Sequence, residues 1–426
     1  MKAEKNRYDC VVIGGGLTGL TAAVYLAKAG QSVLLLEKEH QLGGLAQTTN
    51  VNGALFNLGP HAMYEGGAAL RILREWNLLP KGGYASKSGM AGIYEGKIVN
   101  VPTDLTPEES QEWSKIMSTL SEVQTESLYS ISITLWAETN IYHDRVRLLF
   151  YAMCRQWAYC NNLSELSCGY VIKQGQLAGK GVRYVEHGWQ TVVDSLRNEA
   201  EKFGATIVTG VSAKQITLRD GKVHGVILSD GKSLEVNAVI TAIGPREVCE
   251  LVQDSEHMSL GKWQRNARPL YGSCLDVALK QLPNPSAIFV LGLDEPLYYS
   301  NHSVSVKLSD NGSHILHTMK YNDSNRHTDA TEDEKRLLQL LDLLQPGWEK
   351  EVVATRFSHN VLIAHDSRTI HHYGGGPAPS PIVPEVYGLF VTGDWVGAEG
   401  RLADNAMASA KLAVEELLHL YKTQIL

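Results

Sequence analysis

Three glycines near the start of the chain have the spacing of a dinucleotide-binding turn. Gly14, Gly16 and Gly19 follow the apolar run Tyr8–Ile13 and precede a stretch with apolar residues at helical spacing. In such a turn the first glycine permits a tight bend, the second lets the backbone approach a pyrophosphate, and the third lets helix and strand pack closely. Glu37 ends the next apolar run, where a carboxylate accepts hydrogen bonds from ribose hydroxyls. The pattern predicts a dinucleotide site.

Two further segments bear on which dinucleotide is bound. The pair Gly43-Gly44 suits a second backbone approach to the same ligand, although an ordinary turn explains it equally well. Near the C-terminus, Gly393-Asp394 ends an apolar run and Arg401–Asn405 leads into a helical pattern. An acid at a strand end can bind ribityl hydroxyls, and the N–H groups that open a helix favour the negative charge of a reduced flavin. A simple NAD domain needs no such element, so these segments favour FAD.

The elements that must position these residues alternate between strand and helix. Tyr8–Ile13, Leu17–Ala29 and Ser32–Leu36 read as a βαβ unit, whose parallel strands require the helix as a crossover. Residues 107–160 read as helical, and α/β alternation returns after Gly188. Later predicted elements are strands at Thr206–Val208, Lys214–Leu218, Val223–Leu228, Ala238–Ala242, Ser273–Lys280, Ile288–Leu291, Ser303–Leu308, His314–Tyr321 and Leu389–Thr392, and helices at Thr191–Phe203, Glu332–Leu344 and Ala406–Tyr421. The order predicts one α/β domain in three separate stretches, with a second domain inserted twice.

Composition narrows the class of protein. The 426 residues carry 39 Lys and Arg against 46 Asp and Glu, so the net charge of −7 gives no general attraction to nucleic acid. The six cysteines form no CxxC pair and no His/Cys cluster at zinc spacing, which favours buried thiols in a reducing compartment and predicts no metal site. No segment reads as a membrane-spanning helix, while peripheral contact with a membrane stays open. We expect a soluble, cytoplasmic enzyme.

At the level of whole motifs, the sequence resembles the flavin amine oxidase superfamily, with phytoene desaturases and protoporphyrinogen oxidases as similar branches. The resemblance rests on Val11–Gly19, Glu37, Gly43-Gly44, Phe56–His61 and Gly388–Leu417, together with the strand-rich region Gly204–Pro245. It implies an α/β fold with a discontinuous, Rossmann-like FAD-binding domain of the glutathione reductase type over 1–80, 179–250 and 356–426. A mixed α+β substrate domain would occupy 81–178 and 251–355.

The resemblance also implies which residues hold the cofactor. Gly14–Gly19 would cradle the pyrophosphate, Glu37 the adenosine ribose, Ala213 the adenine, and the amides near Ala403 and Asp404 the flavin pyrimidine edge. The full implied set is Gly14, Gly15, Gly16, Leu17, Thr18, Gly19, Glu37, Lys38, Gly43, Gly44, Leu45, Gly59, Pro60, His61, Ala213, Gly393, Asp394, Ala403 and Asp404. Leu45 stands where many relatives have Arg or Lys, and Asn57 where relatives often have Asp.

Two side chains are candidates for a catalytic role. His61, in the turn Gly59-Pro60-His61, could act as a base or orient substrate, or could simply satisfy loop carbonyls. Lys320 could reach a water near flavin N5, as a lysine does in several relatives, or could be a solvated strand lysine. Both alternatives stay open for each residue.

The function expected from these features is that of an FAD-dependent oxidoreductase with non-covalently bound FAD. It would remove hydride from a largely apolar small molecule and pass the electrons to oxygen or a quinone-like acceptor. The alternative is a non-catalytic prenyl- or lipid-binding escort protein of the same fold. An escort protein would keep the glycine turn and lose the flavin-edge segment, and that segment is present at Gly388–Leu417.

Overall fold

A computed structural model of the chain describes residues 7–86, 90–323, 328–371 and 378–423. The strands are β1 Arg7–Ile13, β2 Val33–Glu37, β3 Thr48–Val51, β4 Ala54–Asn57, β5 Met63–Tyr64, β6 Gly82–Tyr84, β7 Met90–Tyr94, β8 Lys97–Val99, β9 Val182–Val185, β10 Thr206–Thr209, β11 Ala213–Arg219, β12 Lys222–Leu228, β13 Ser233–Thr241, β14 Leu270–Leu279, β15 Phe289–Gly292, β16 Leu297–Asn301, β17 His314–Tyr321, β18 Val352–Ala364 and β19 Leu389–Val391. The helices are α1 Leu17–Lys28, α2 Ala68–Glu75, α3 Pro107–Thr119, α4 Ile133–Asn140, α5 Asp144–Ala158, α6 Cys168–Gly179, α7 Gln190–Lys202, α8 Pro245–Leu251, α9 Ser259–Asn266, α10 Ala330–Leu344 and α11 Ala403–Thr423.

The first sheet carries the predicted dinucleotide turn. Its strands lie in the order β10-β2-β1-β13-β12-β11, and β19 also pairs with β13. Strands β10, β2, β1, β13 and β19 run parallel to one another, whereas β12 and β11 extend the sheet beyond β13 by antiparallel pairing. Helix α1 joins the parallel strands β1 and β2, as the βαβ prediction requires. The predicted Rossmann-like sheet is confirmed.

Both faces of the first sheet are covered. Because side chains alternate along a strand, Cys10 and Val12 of β1 pack with helices α1, α2, α7 and α11 on one face. Val11 and Ile13 pack on the other face, with residues of β11, β12 and α8. Burial on both faces explains why β1 and β2 are almost continuously apolar. The carboxyl ends of these strands lead into the segments with the candidate cofactor residues.

The second sheet has the order β18-β14-β17-β16-β15-β7-β8. On its outer face, Leu275 and Val277 of β14 pack against Leu337 and Leu341 of α10. Its inner face packs against β4 around Phe56, and against the apolar interior of helices α3 to α6. The chain therefore contains a separate mixed α+β unit, as predicted, whose inner face lies towards the cofactor segments.

Two details differ from the sequence-based prediction. The predicted strand Ser303–Leu308 is wrong, because the strand of this region is β16 and residues His302–Val304 form a single 3₁₀ turn. The side chain of Asn301 accepts a hydrogen bond from the amide of Ser303 at 3.1 Å, which bends the chain where the strand was expected to begin. The proposed domain boundary at residue 356 falls within β18, all of which belongs to the second sheet.

None of the helices within the described ranges combines the length and the apolarity that crossing a bilayer requires. The segments 1–6, 372–377 and 424–426 of the proposed FAD-binding domain lie outside those ranges.

Candidate cofactor site

The turn after β1 is closed by its first and third glycines. Gly14 has a φ of 109°, and its amide donates a hydrogen bond to the carbonyl of Leu36 at 2.8 Å. A Cβ on Gly19 would lie 1.8 Å from the carbonyl oxygen of Gly14, so the first turn of α1 touches the backbone of the loop. These two glycines are required by the fold itself.

The middle glycine is different. Gly16 caps α1 with φ −77°, a conformation open to any residue, and a Cβ there would meet only the carbonyl oxygen of Gly43, at 3.7 Å. Nothing in the described protein requires a glycine at this position, whereas a ligand that contacts the backbone would. Leu17 and Thr18, in the first turn of α1, are buried. The N-terminus of α1 therefore forms a cradle suited to a phosphate group.

Glu37 has a role that sequence reasoning missed. Its carboxylate accepts hydrogen bonds from the amides of Gly15 at 2.6 Å and Glu39 at 2.9 Å, and its side chain is buried. It thus holds the glycine turn against the end of β2, while Lys38 beside it is exposed. The expected contact between this acid and the adenosine ribose remains a proposal.

The second glycine pair packs directly on the first turn. Gly43 donates from its amide to the carbonyl of Gly15 at 2.9 Å, and a Cβ on Gly44 would lie 3.5 Å from the Cα of Gly16. Both have positive φ, 123° and 53°, which side chains disfavour. Between the two alternatives, a ligand site and an ordinary turn, this packing supports a shared cradle. Leu45 follows with an exposed side chain.

His61 links the two sides of this cradle. Its Nδ1 lies 3.1 Å from the carbonyl oxygen of Gly59 and its Nε2 lies 2.9 Å from that of Leu45. Its ring packs edge-on against Trp189. Burial lowers the pKa of His61, although the two carbonyl contacts oppose that effect. The structure therefore supports the alternative in which His61, next to Pro60 and partly exposed, satisfies loop carbonyls.

The chain at Ala213 approaches the same region from the edge of the first sheet. Val211 donates from its amide to the carbonyl of Glu37 at 3.0 Å, and Gly210 donates to that of Glu39 at 3.0 Å. Ala213, two residues later, begins β11 and is partly exposed. The expected adenine position is thus adjacent to the expected ribose position.

Asp394 is held by an unforeseen partner. Its carboxylate accepts from Nδ1 of His365 at 2.7 Å and from the amide of His365 at 2.9 Å. Burial alone would favour the neutral acid, but the charge and hydrogen bonds of His365 lower the pKa of Asp394, and Asp394 in turn raises the pKa of His365. Gly393, with a φ of 146°, donates from its amide to Oγ of Ser409 at 3.0 Å. The strand end and helix α11 are therefore locked together.

Asp404, at the start of α11, contacts the N-terminus of α2. Its carboxylate accepts from the amide of Ala69 at 2.9 Å, at the N-terminus of α2, and its own amide donates to the carbonyl of Arg401 at 3.1 Å. The Asp404 amide therefore already has a partner within the turn, and its expected contact with the flavin edge stays a prediction, together with that of Ala403.

Lys320 is not brought to the cradle. It forms an ion pair with Asp333 of α10, on the outer face of the second sheet. Its neighbour Met319 points to the opposite face, into the cluster shared with helices α3 to α6. This ion pair gives no support to the catalytic role considered for Lys320, which stays a prediction.

Comparison with known proteins agrees with this geometry. The family model described as FAD dependent oxidoreductase matches residues 9–393. A carotenoid 3,4-desaturase of Haloarcula japonica is 56% identical over 52 residues, which is 12% of this chain and 10% of the relative, so the match spans only a small part of that protein.

Two solved structures share the fold across nearly the whole chain. An oxidoreductase from Methanosarcina mazei has a TM-score of 0.74 and 20% identity, covering 96% of this chain and 99% of its own. Cyclohexylamine oxidase from Brevibacterium oxydans has a TM-score of 0.70 and 16% identity, covering 96% and 99%. The resemblance to flavin amine oxidases and desaturases is confirmed, and the chain belongs to the FAD dependent oxidoreductase family.

Proposed function

We propose that the protein binds FAD non-covalently and removes hydride from a largely apolar small molecule, with oxygen or a quinone-like compound as the electron acceptor. The observation that supports this most directly is the contrast within the glycine turn. A Cβ on Gly14 or Gly19 would collide with the protein's own backbone, whereas a Cβ on Gly16 would lie 3.7 Å from its nearest protein atom. The space above Gly16 suits a pyrophosphate at the N-terminus of α1.

Different residues around the cradle would bind different parts of the cofactor. The N–H groups at the start of α1 would bind the phosphates, with Glu37 and Ala213 on the adenosine side. Asp394 would hold the flavin side: its backbone carbonyl accepts from Nδ2 of Asn405 in the first turn of α11, whose N-terminal partial charge favours an anion. FAD, when bound there, supplies the hydride acceptor, and the protein supplies binding, orientation and electrostatics.

The inner face of the second sheet supports an apolar substrate. Tyr298, Met319 and Tyr321 are buried there with residues of helices α3 to α6. Nearby, the hydroxyls of Tyr64 and Tyr159 are 2.6 Å apart and bond to each other, so their rings remain as apolar surface. Such a lining would bind an apolar molecule and exclude water from the hydride-transfer step.

We expect electrons to enter from an organic substrate and not from NADPH or NADH. The one complete dinucleotide fingerprint is assigned to FAD, and the carboxylate of Glu37 would repel a 2′-phosphate. In anaerobic stopped-flow mixing, either nucleotide should leave the flavin absorbance near ~450 nm almost unchanged. A panel of apolar amines and unsaturated hydrocarbons should include a compound that bleaches it.

Dithionite serves as the positive control, since it reduces flavin without a binding site. Rapid bleaching by NADPH or NADH would overturn the assignment and indicate a monooxygenase or reductase. A purified protein that is colourless and takes up no added FAD would instead favour the escort-type binding protein.

The flavin should be released completely by acid or heat. The chain has no cysteine after Cys274, so the C-terminal segment offers no thiol for a covalent link. Cys274 itself is buried, and burial raises the pKa of its thiol well above the ordinary value, which disfavours the reactive thiolate. After precipitation with trichloroacetic acid, all of the yellow colour should be in the supernatant. Flavin that stays with the washed precipitate would show a covalent bond.

A further inference from the structure

His365 holds the carboxylate of Asp394, a residue that we expect at the cofactor. Oδ1 and Oδ2 of Asp394 accept from Nδ1 and the amide of His365, at 2.7 and 2.9 Å. The other ring nitrogen, Nε2, makes no hydrogen bond within the part of the chain that the structure describes, and 26% of the His365 side chain is exposed. A ligand at the end of β19 can therefore meet the Nε2 edge of this imidazole as well as the carboxylate.

The His365 ring lies at the carboxyl edge of the first sheet, next to the glycine turn. In this sheet β13 lies between β1 and β19. A Cβ on Gly14 would lie 3.0 Å from Cγ2 of Ile243, the second residue after β13. A Cβ on the next residue, Gly244, would lie 2.8 Å from Nε2 of His365. Because ligands of open parallel sheets bind beyond the carboxyl ends of the strands, Nε2 lies at the edge where the dinucleotide is expected.

The glycine cradle itself supplies little positive charge. Its two turns, Gly14–Gly19 and Gly43–Leu45, contain no basic side chain, and Lys38 nearby in the chain is exposed. The carboxylate of Glu37, which bonds to the amide of Gly15, adds negative charge. A diphosphate carries two negative charges, whereas the N-terminus of α1 supplies roughly half a unit of positive charge. A dinucleotide in this cradle therefore needs a counter-charge from another element.

His365 has the surroundings of a cation. Burial alone would lower its pKa, but the charge and hydrogen bond of Asp394 and the charge of Glu247 in α8 raise it above the ordinary value. Burial alone would raise the pKa of Asp394, but the charge and hydrogen bonds of His365 lower it. The protonated imidazole and the ionised carboxylate therefore stabilise each other. The other charged groups that face this pair, from the segments after β18 and before α11, are Asp366, Arg368 and Arg401.

We propose that the His365 imidazolium binds FAD between the glycine cradle and the start of α11 and supplies a counter-charge to its diphosphate. Asp394 is a positioning residue that acts through His365, which explains why both of its carboxylate oxygens are bonded to a single histidine. A charged N–H group that donates to a phosphate oxygen forms one of the stronger hydrogen bonds in proteins. The proposal rests on the proposed function, because it concerns the same cofactor site.

The pH dependence of FAD affinity tests this proposal. The imidazolium loses its proton as pH rises through the pKa of His365, so the affinity of the wild type should fall about 10-fold between about pH 6 and about pH 9. His365→Asn should bind about 10-fold more weakly at the lower pH and show no such fall, because its amide can donate to Asp394 but carries no charge. His419→Gln, at the far end of α11, is the matched control and should follow the wild type. Titration of flavin-free protein with FAD, followed by flavin fluorescence, measures the affinity without any substrate.

Two further variants separate charge from structure. Asp394→Asn removes the group that raises the pKa of His365, so the fall in affinity should move to lower pH. A fall at the unchanged pH would overturn the positioning role of Asp394. Combining His365→Asn with Leu45→Arg places a cation beside the cradle, where Leu45 is exposed, and should restore part of the lost affinity. A double variant that binds no better than His365→Asn would overturn the role of charge.

The outcomes distinguish this proposal from the proposed function. If the wild type and a folded His365→Asn bind FAD with the same affinity or the same pH dependence, the role of His365 is overturned and the proposed function stands. A wild type that takes up no FAD at any pH would instead overturn the proposed function. Should His365→Asn fail to fold, NMR titration of His365 in the wild type replaces it. Bound FAD should raise the pKa of His365, because linkage is reciprocal, and an unchanged pKa would overturn the proposal.

Discussion

Replacing Gly16 with valine should leave the protein folded and free of flavin. A Cβ at this position meets only the carbonyl oxygen of Gly43, at 3.7 Å, so the first atom of the new side chain fits without displacing the protein. The valine side chain would exclude the pyrophosphate, because it would occupy the space through which the phosphate approaches the backbone. We expect FAD affinity to fall by about 10²-fold or more, corresponding to roughly 3 kcal/mol. Flavin absorbance per mole of purified protein and titration with added FAD measure the effect.

Gly19→Val is the informative contrast. There the Cβ would lie 1.8 Å from the carbonyl oxygen of Gly14, a backbone atom that cannot move without opening the turn. We expect this variant to lose about 3 kcal/mol or more of stability and to be recovered poorly. Circular dichroism and thermal unfolding distinguish the two variants. A Gly16→Val protein with a full complement of flavin would show that the turn does not hold the cofactor.

The part of the site that could be predicted from sequence is the part built from neighbouring residues. The turn Gly14–Gly19 lies between a strand and a helix that adjoin it in the chain, so its chemistry follows from spacing and backbone geometry alone. The same holds for the hairpin at Asp220-Gly221, which joins β11 to β12. Sequence patterns are sufficient to predict a contact when its partners are close together in the chain.

The contacts that sequence reasoning missed join distant residues. Asp276 and His317 meet because β14 and β17 pair in one particular register, and a shift of one residue would turn both side chains to the other face. The register also places Lys320 on the other face of β17, where it pairs with Asp333 of α10. A cue for Asp276 did exist: an acid inside the otherwise apolar run of β14 must be paired if it is buried. Its partners could not be identified without the sheet.

The sequence also does not predict a helix cap that is supplied by a residue far away in the chain. Asp404 begins α11 and reads as an acid placed at the N-terminus of its own helix. In the structure its carboxylate instead caps α2, by accepting from the Ala69 amide 335 positions earlier in the chain. A Cβ on Gly67 would lie 2.2 Å from Oδ1 of Asp404, so the two helix ends are in close contact. This contact has a consequence for stability.

Asp404→Asn should stabilise the protein, and the gain should grow with pH. Burial, above all, raises the pKa of Asp404 from 3.8 to about 6. The folded state therefore holds this proton more tightly than the unfolded chain does. The contribution to the free energy of unfolding is complete below pH 3.8 and is lost as pH rises through about 6. A shift of about two units corresponds to a loss of roughly 3 kcal/mol.

Asparagine retains the cap without this loss, because its Oδ1 can accept from the Ala69 amide and its side chain does not ionise. The difference in free energy of unfolding between Asp404→Asn and the wild type should thus increase by about 3 kcal/mol between pH 4 and pH 8. Contributions of titrating groups that do not interact with Asp404 cancel in that difference. Urea unfolding at several pH values measures it, with Asp220→Asn in an exposed turn as the matched surface control. A constant difference for Asp404→Asn as well would show that the pKa of Asp404 is not raised in the folded protein.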